Sequence, residues 1–445
     1  MTAPKHVVVV GAGIAGLCCA YSFRKHDVDV TVLDSESVGS RVASSFGNGG
    51  WICPAQAGPL PEPGLTLRGM RALLNADSAL YFRPSYLPRL TPWLLRFWTY
   101  CNRRDFEHGM AALAALGRRA FELVEAMLAD GVEFELYRKG MVCASATPAG
   151  ARKVLESLSP MRSFGYRLPD ELLSSDDLHE LEPSLSDKVT SGFHYDEQWH
   201  VRANTMTTGI ATRLREQGVG IREHTRVIGF DAVNGTVRAV RTTEGDVAAD
   251  AFVLAAGSWT APLARGLGVR FPMQPGKGYT FLIRPKVMPA HGILFADIHA
   301  GATPFADRVR IGGTMEFSGY DLSIDRRRID NVFRLAREYL ELEQPEYEEP
   351  WAGLRPLTPD GLPVIDRATP LGNAFVATGY SMLGMTVSAP AAEAMAEFVL
   401  SGERPALLEP FRIDRFRRLG RRRAKVDAAP ATARLDRGLP GRSRT

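Results

Sequence analysis

The spacing of apolar positions along the chain changes period several times. Residues 7–10 form an unbroken apolar run, a helical pattern follows to about His26, and residues 28–33 form a second run that stops at Asp34. Short unbroken runs suit strands buried on both faces, and a 3.6-residue spacing suits helices. A proline-punctuated stretch, 54–92, leads into an aromatic amphipathic stretch, 93–100, and a long helical pattern over about 105–129. The pattern is strand-like over 132–143 and helical over 149–164, and Ser175-Asp176-Asp177-Leu178 opens a helix that ends at Glu182-Pro183. Residues 191–195 predict a strand, 196–201 a loop and 203–217 a helix. Short strands follow over 220–223, 226–233, 236–242 and 252–255, with Asn234-Gly235 as a hairpin turn. Strand-like segments at 278–284 and 309–313 and a helical pattern over 325–342 precede a last strand, 374–379, that runs into glycine and a last helix, 384–401. The opening strand–helix–strand and the closing strand–glycine–helix therefore predict two halves of one α/β nucleotide domain, with a second domain inserted between them.

Length and composition narrow the class. A chain of 445 residues suits two or three domains, with ample apolar content for a large core. No apolar run approaches the roughly 18 residues needed to span a bilayer, and no signal peptide is visible before the first strand. The five cysteines, Cys18, Cys19, Cys53, Cys101 and Cys143, are odd in number and lack CxxC spacing, so reduced thiols are expected rather than a disulfide frame or a metal site. From Arg412 onward there are 12 Lys plus Arg against 3 Asp plus Glu, so the net charge of +4 leaves the body of the chain at −5. The basic balance belongs to the tail, and the body gives no reason to expect nucleic acid.

The candidate chemistry starts at Gly11-Ala12-Gly13-Ile14-Ala15-Gly16, between the first run and its helix. In this fingerprint Gly11 allows the tight turn, Gly13 lets backbone approach a pyrophosphate, and Gly16 lets the helix pack on the strand. The helix start adds free N–H groups and partial positive charge. A carboxylate at Asp34 suits ribose hydroxyls and favours FAD or NAD over NADP, whose 2′-phosphate it would repel. The fingerprint alone does not choose between NAD and FAD. Ser44-Ser45-Phe46-Gly47-Asn48-Gly49-Gly50 is a loop whose small residues let backbone meet a ligand, or an ordinary turn. Residues 252–259 end a strand in Ala255-Ala256-Gly257 and suit a second backbone approach to the same cofactor, or a plain strand-to-helix turn. The aromatic stretch at 93–100 reads as a helix packed on the core or, with Arg89, Arg96, Arg103 and Arg104, as a peripheral membrane contact.

Six motifs in order carry a family resemblance. GAGIAG with Asp34, SSFGNGG at 44–50, VLAAGSW at 253–259, GKGYTF at 276–281, WAGLRPLTPDGLPVID at 351–366 and ATGYSMLGMTVSAPAAE at 377–393 together resemble the D-amino-acid oxidase superfamily of flavoproteins. Within it the chain is most similar to bacterial D-amino-acid dehydrogenases of the small-subunit type, with glycine and sarcosine oxidases and D-hydroxyproline dehydrogenases as cousins. The resemblance runs to about Phe411. It implies an α/β fold in which a Rossmann-like, glutathione-reductase-like FAD domain carries an inserted α+β substrate domain built on a mainly antiparallel sheet. The FAD domain would comprise 1–75, 201–268 and 351–411, and the substrate domain 76–200 and 269–350. Residues 412–445 would be a basic, disordered tail.

Carried over by motif, Gly11, Ala12, Gly13, Ile14, Ala15 and Gly16 would hold the pyrophosphate and Asp34 the adenosine ribose. Ser45, Asn48, Gly49 and Gly50 would pass beside the flavin. Val227 would meet the adenine, and Ala256, Gly257 and Trp259 the diphosphate side. Gly379, Gly384, Met385 and Thr386 would meet the pyrimidine edge of the ring. The absence of cysteine from residues 381–386 implies non-covalent FAD. Arg355 matches the carboxylate clamp of the family and Tyr279 a tyrosine that meets the same carboxylate, and His200 and Trp199 are weaker candidates for the amine side. The implied activity is FAD-dependent oxidative deamination of a D-amino acid, or of a secondary amino acid such as D-hydroxyproline. Hydride would pass from Cα to the flavin, the imino acid would hydrolyse to a 2-oxo acid, and a quinone or another acceptor would take the electrons. The protein would be cytoplasmic, with a peripheral inner-membrane contact as a further expectation. An oxygen-using oxidase, a flavin-dependent tRNA-modifying protein and a nicotinamide module without flavin are the alternatives.

Overall fold

In a computed structural model, residues 3–65 and 78–417 are described. Strand β1 (His6–Val10), helix α1 (Ile14–Arg24) and strand β2 (Asp29–Leu33) form the opening unit. Helix α2 (Leu87–Tyr100) contains the aromatic stretch. Strands β3 (Gly220–Arg222), β4 (Ala251–Leu254), β5 (Gln274–Ile283) and β6 (Val309–Phe317) follow. After them come helix α3 (Arg326–Ala336), strands β7 (Glu348–Leu357), β8 (Val364–Arg367) and β9 (Ala374–Thr378), and helix α4 (Gly384–Ser401).

Six of these strands form one sheet in the order β8-β9-β4-β1-β2-β3, parallel except for the β8–β9 pair. The unbroken apolar run of β1 follows from cover on both faces. Val7 and Val9 face a core that includes α1 and α4, and Val8 and Val10 face a core shared with the three-stranded antiparallel sheet of residues 227–248. Helix α4 is buried nearly all round, with alanines at 389, 391, 392, 394 and 396, and its small side chains suit its close packing on α1. The chain thus joins its first and last segments in one layer, as the apolar pattern predicts.

A second, eight-stranded sheet runs β7-β5-β6, then Ala300–Pro304, Gly292–Phe295, Met141–Ser145 and Ser191–Tyr195, with Leu80–Phe82 paired to β6. It is antiparallel except for two pairs, Gly292–Phe295 with Met141–Ser145 and β6 with Leu80–Phe82. Its back is covered by α3 through Ile329, Val332, Phe333 and Ala336, and its front meets the 41–50 loop.

Several elements depart from the periodicity. The helical pattern over 105–129 is two helices, Arg103–Gly117 and Ala120–Ala129, the first begun by Asn102, whose side chain accepts the Asp105 N–H. The pattern over 325–342 ends as helix at Ala336, and the strand-like stretch 132–143 holds only Leu136–Tyr137 and the start of Met141–Ser145. Trp199–Val201, expected as loop, is a strand paired with Trp51–Ile52 and Leu136–Tyr137. Part of the proline-punctuated stretch, 66–77, and most of the basic tail, 418–445, lie outside the described residues. The packed body continues past Phe411 through Arg417: Ile413 and Phe416 are buried and Arg415 pairs with Asp360 at 2.7 Å.

Candidate active site

The cofactor half is built where β1, β4 and β9 end side by side, the position at which parallel sheets bind nucleotides. Gly11 sits at φ +113°, and a Cβ there would stand 2.6 Å from the Ala255 carbonyl oxygen of the neighbouring turn. A Cβ on Gly16 would overlap the Gly11 carbonyl oxygen, so α1 can lie this close to β1 only with glycine at that position. Gly13 begins α1 without a side-chain cap, and Ser45 Oγ accepts the Ile14 N–H at 3.0 Å. Asp34 accepts the Ala12 N–H at 2.6 Å and the Glu36 N–H at 2.9 Å; burial raises its pKa while these donors oppose the shift. The backbone then returns from Asp34 through Thr225, whose N–H meets the Asp34 carbonyl at 2.7 Å, to Val227.

The other expected residues lie on the 44–50 loop and on the segments that follow β4 and β9. Asn48 Oδ1 accepts the Gly50 N–H at 2.8 Å, and the Gly49 carbonyl accepts from Thr303 Oγ1 at 2.7 Å. A Cβ on Gly13 would meet only Ser45 Oγ, and one on Gly257 would meet nothing within 4 Å, so both border open space; Ala256 begins that turn. Trp259 ends it and packs against Tyr320. Gly379 follows β9, and α4 starts at Gly384 against Ile14 without a side-chain cap. Met385 is buried, and Thr386 Oγ1 donates to the Trp51 carbonyl and accepts the Cys53 N–H. Two helix starts whose own N-cap residues, Gly13 and Leu383, supply no side-chain cap, a glycine turn and a carboxylate at a strand end fit the phosphates and ribose of a dinucleotide in chemical kind.

The front of the second sheet supplies the other wall. Trp351, Gly353 and Arg355 of β7 share one face with Gly276, Gly278 and Thr280 of β5, directly opposite them in register. The Arg355 guanidinium lies across Gly278, where any Cβ would collide with it. Its Nη1 donates to the Thr314 carbonyl at 2.9 Å and lies 3.9 Å from Met315 Sδ. Among the described residues no carboxylate pairs with it, and burial lowers its pKa to about 10. The side chain keeps some accessible surface although protein surrounds it, as a group lining an internal recess does.

Tyr279 requires a correction. It neighbours Gly278 on β5, and alternation sends it to the opposite face, where its hydroxyl donates to Glu316 Oε2 at 2.8 Å in the core beneath α3. It does not meet Arg355. The weaker candidates fall away also: His200 is fully buried with Nε2 on the Pro304 carbonyl, and Trp199 packs on Phe121 and beneath Arg138.

Sequence reasoning missed Arg310. Its buried guanidinium donates to the carbonyls of Phe46 and Asn48 at 3.3 and 3.1 Å, fixing the glycine loop against the sheet, and burial lowers its pKa to about 10. An arginine within the apolar run Val309-Arg310-Ile311 was the available signal. Ser44 and Ser258 add to this seam, each donating to the Leu354 carbonyl.

A dinucleotide cradle facing a sheet that carries a buried, unpaired guanidinium defines a cofactor-dependent oxidoreductase of the two-domain flavoprotein type. The family model described as FAD dependent oxidoreductase matches residues 6–398, and the chain belongs to that family, DAO. It is an FAD-dependent enzyme. A D-amino acid dehydrogenase of Phenylobacterium zucineum is 31% identical over 412 residues, covering 90% of this chain and 95% of its own length. Among solved structures, the fold is similar to glycine oxidase from Geobacillus kaustophilus, with a TM-score of 0.69 at 23% identity over 93% of this chain and 99% of that one. Iminodiacetate oxidase from Chelativorans sp. BNC1 gives 0.71 at 20% identity over 92% and 98%.

Proposed function

We propose that this chain oxidises the Cα–N bond of a D-amino acid, or of a secondary amino acid such as D-hydroxyproline, to an imino acid that water converts to a 2-oxo acid. The observation that carries the reading is Arg355, a guanidinium enclosed in protein with one backbone carbonyl for a partner and no carboxylate among the described residues. Its planar fork suits two parallel charge-assisted bonds to a substrate carboxylate. Gly278 has no side chain to stand where that guanidinium lies, so the fork can rest flat on the sheet. Non-covalently bound FAD supplies the acceptor for the hydride that leaves Cα.

The starts of α1 and α4, Asp34, the 44–50 loop, Val227, Ala256, Gly257, Trp259 and Gly379 would hold that cofactor. Arg310 would keep the loop seated against the sheet. These groups bind and orient, and holding the reacting atoms in line supplies most of the rate. A substrate seated between the sheet and the cofactor would also exclude water from the recess.

For the acceptor, a quinone reached at a membrane surface is the favoured reading. On the outer face of α2, Leu95 and Trp98 are 54% and 41% exposed and Arg89 is exposed, Arg103 and Arg104 are exposed at the start of the next helix, where Arg103 pairs with Glu107, and no acidic residue occurs from Ser78 to Arg104. Trp at headgroup depth with arginines on anionic lipid is the chemistry of an interfacial helix. No helix among the described residues is long and apolar enough to cross a membrane.

Assaying purified protein for 2-oxo acid, with ammonia from D- and L-amino acids and the alkylamine from N-alkyl amino acids, and with a quinone analogue as acceptor, tests the reaction. One 2-oxo acid per acceptor reduced supports it, and turnover of amines lacking a carboxylate with equal efficiency contradicts it. Peroxide yield in air that matches the quinone rate would favour an oxidase. Sedimentation with anionic vesicles that the double variant Leu95→Ser, Trp98→Ser leaves unchanged would remove α2 as the contact.

A further inference from the structure

The sheet that carries Arg355 has a β-bulge at the guanidinium's partner. Lys277 of β5 pairs with Glu316 of β6 and Tyr279 with Gly313, so Thr314 and Met315 together oppose Gly278 alone. Thr314 takes φ +69°, which a β-branched residue rarely adopts, and its Oγ1 is buried without a hydrogen-bond partner. Two costs therefore meet at one residue, and such a conformation persists only where its surroundings over-determine it.

Behind the bulge lies a buried charge cluster. The side chains of Lys277, Glu316 and Arg328 are only 2%, 6% and 7% exposed. Glu316 Oε1 pairs with Lys277 Nζ at 2.9 Å; Oε2 accepts from Tyr279 at 2.8 Å and lies 3.3 Å from Arg328 Nε. Lys277 also donates to the Ser323 carbonyl at 3.0 Å, with Asp321 at 3.6 Å, and Arg328 Nη2 donates to the Ser78 carbonyl at 3.3 Å. A core gains little stability from such a cluster, since apolar residues of equal volume often serve as well. What a cluster can do is distinguish registers.

Side chains alternate along a strand, so one inserted residue exchanges the two faces beyond it. In the bulged register Glu316 points back to Lys277, Tyr279 and Arg328, and Met315 points forward to Arg355 and Gly276. Without the bulge Met315 would turn back and the Glu316 carboxylate would face the guanidinium, neutralising it. We propose that Glu316, held by Lys277, Tyr279 and Arg328, is a positioning residue that pins the bulged register of β6, so that the Thr314 carbonyl holds the Arg355 guanidinium and the guanidinium is aimed at the substrate carboxylate. This rests on the reading of Arg355 as the carboxylate clamp.

The test uses FAD-loaded enzyme and benzoate, a simple carboxylate, titrated against flavin absorbance at equilibrium. Arg355→Ala should abolish or severely weaken benzoate binding. Glu316→Gln should weaken it on the order of tenfold, equivalent to about 1.4 kcal/mol, with flavin content unchanged. Tyr279→Phe, which removes one hydroxyl and keeps the ring, should act in the same direction to a smaller extent and carries the test if Glu316→Gln does not fold. In the Arg355→Ala background Glu316→Gln should change benzoate affinity less than twofold, because the group it aims is gone. A merely structural role would lower the thermal midpoint alike in both backgrounds and leave benzoate affinity alone. Wild-type affinity in both Glu316→Gln and Tyr279→Phe, beside an impaired Arg355→Ala, overturns the positioning role and leaves the clamp standing. Equal affinity of Arg355→Ala and wild type overturns the clamp itself, and the positioning role with it.

Discussion

Truncating Arg355 probes the chemistry most sharply, because its effects on binding and on stability have opposite signs. With its pKa brought from the ordinary guanidinium range to about 10 by burial alone, holding the charge in the folded protein costs about 3 kcal/mol. The single bond to the Thr314 carbonyl returns about 1 kcal/mol. Arg355→Met should therefore raise the thermal midpoint of the substrate-free enzyme, by removing a charge without a counter-ion. A substrate carboxylate supplies that counter-ion together with two charge-assisted bonds. Losing one partner of a desolvated pair of this kind costs about 2–5 kcal/mol, so the substrate dissociation constant should rise between about 30-fold and several thousandfold. Rapid-mixing measurement of flavin reduction separates that constant from the limiting rate, and flavin absorbance reports retention of FAD. A dissociation constant within threefold of wild type, or a fall in thermal midpoint accompanied by loss of flavin, would refute this account of Arg355.

Gly278→Ala should displace the guanidinium that lies across it and raise the Michaelis constant at least tenfold with FAD retained; an unchanged constant would show that Arg355 has another route to the substrate. Gly13→Val should purify depleted of flavin, because its side chain would project into the open side of the cradle, and full yellow colour would contradict the pyrophosphate assignment. His200, fully buried with its pKa lowered to about 4, stays neutral in the folded protein while the unfolded chain takes up a proton below about pH 6.5. Its contribution to stability, up to about 3 kcal/mol, is thus present above pH 6.5 and lost as the pH falls toward 4. His200→Gln should flatten that part of the urea-midpoint profile, and an unaltered slope would assign the acid lability elsewhere.

The nucleotide half was legible because its requirements are local. A glycine fingerprint between unbroken apolar strands calls for a tight turn and a closely packed helix, and Gly11 and Gly16 stand where those requirements place them. The substrate half depends on which face of a strand a residue occupies. In Gly276-Lys277-Gly278-Tyr279 the motif drew attention to the tyrosine, but alternation gives the recess to the glycines and the core to Lys277 and Tyr279. The bulge at Thr314 then shifts that alternation on β6. Nothing in Gly312-Gly313-Thr314-Met315-Glu316 announces the inserted residue, because the partners that fix it lie on β5 and α3, separated from it in sequence. Arg310 escaped notice for a similar reason: its role is set by carbonyls of the 46–48 loop, more than 250 residues away. The long helical pattern over 105–129 failed at Gly117, where the first helix ends and Arg118 and Arg119 lead into the second, because apolar positions recur at helical spacing on both sides of that glycine.

The most direct test of the central claim, FAD-dependent oxidation of an amino acid gripped by its carboxylate, is anaerobic bleaching of the bound flavin by matched pairs of compounds. Each pair should contain an amino acid and its carboxamide, drawn from D-, L- and N-alkyl series that include both hydroxyproline epimers. The account predicts a yellow protein whose flavin is bleached by a D- or secondary amino acid and far more slowly by the corresponding amide, with Arg355→Ala removing the difference. A colourless protein, or a flavin reduced equally by acid and amide, would contradict it.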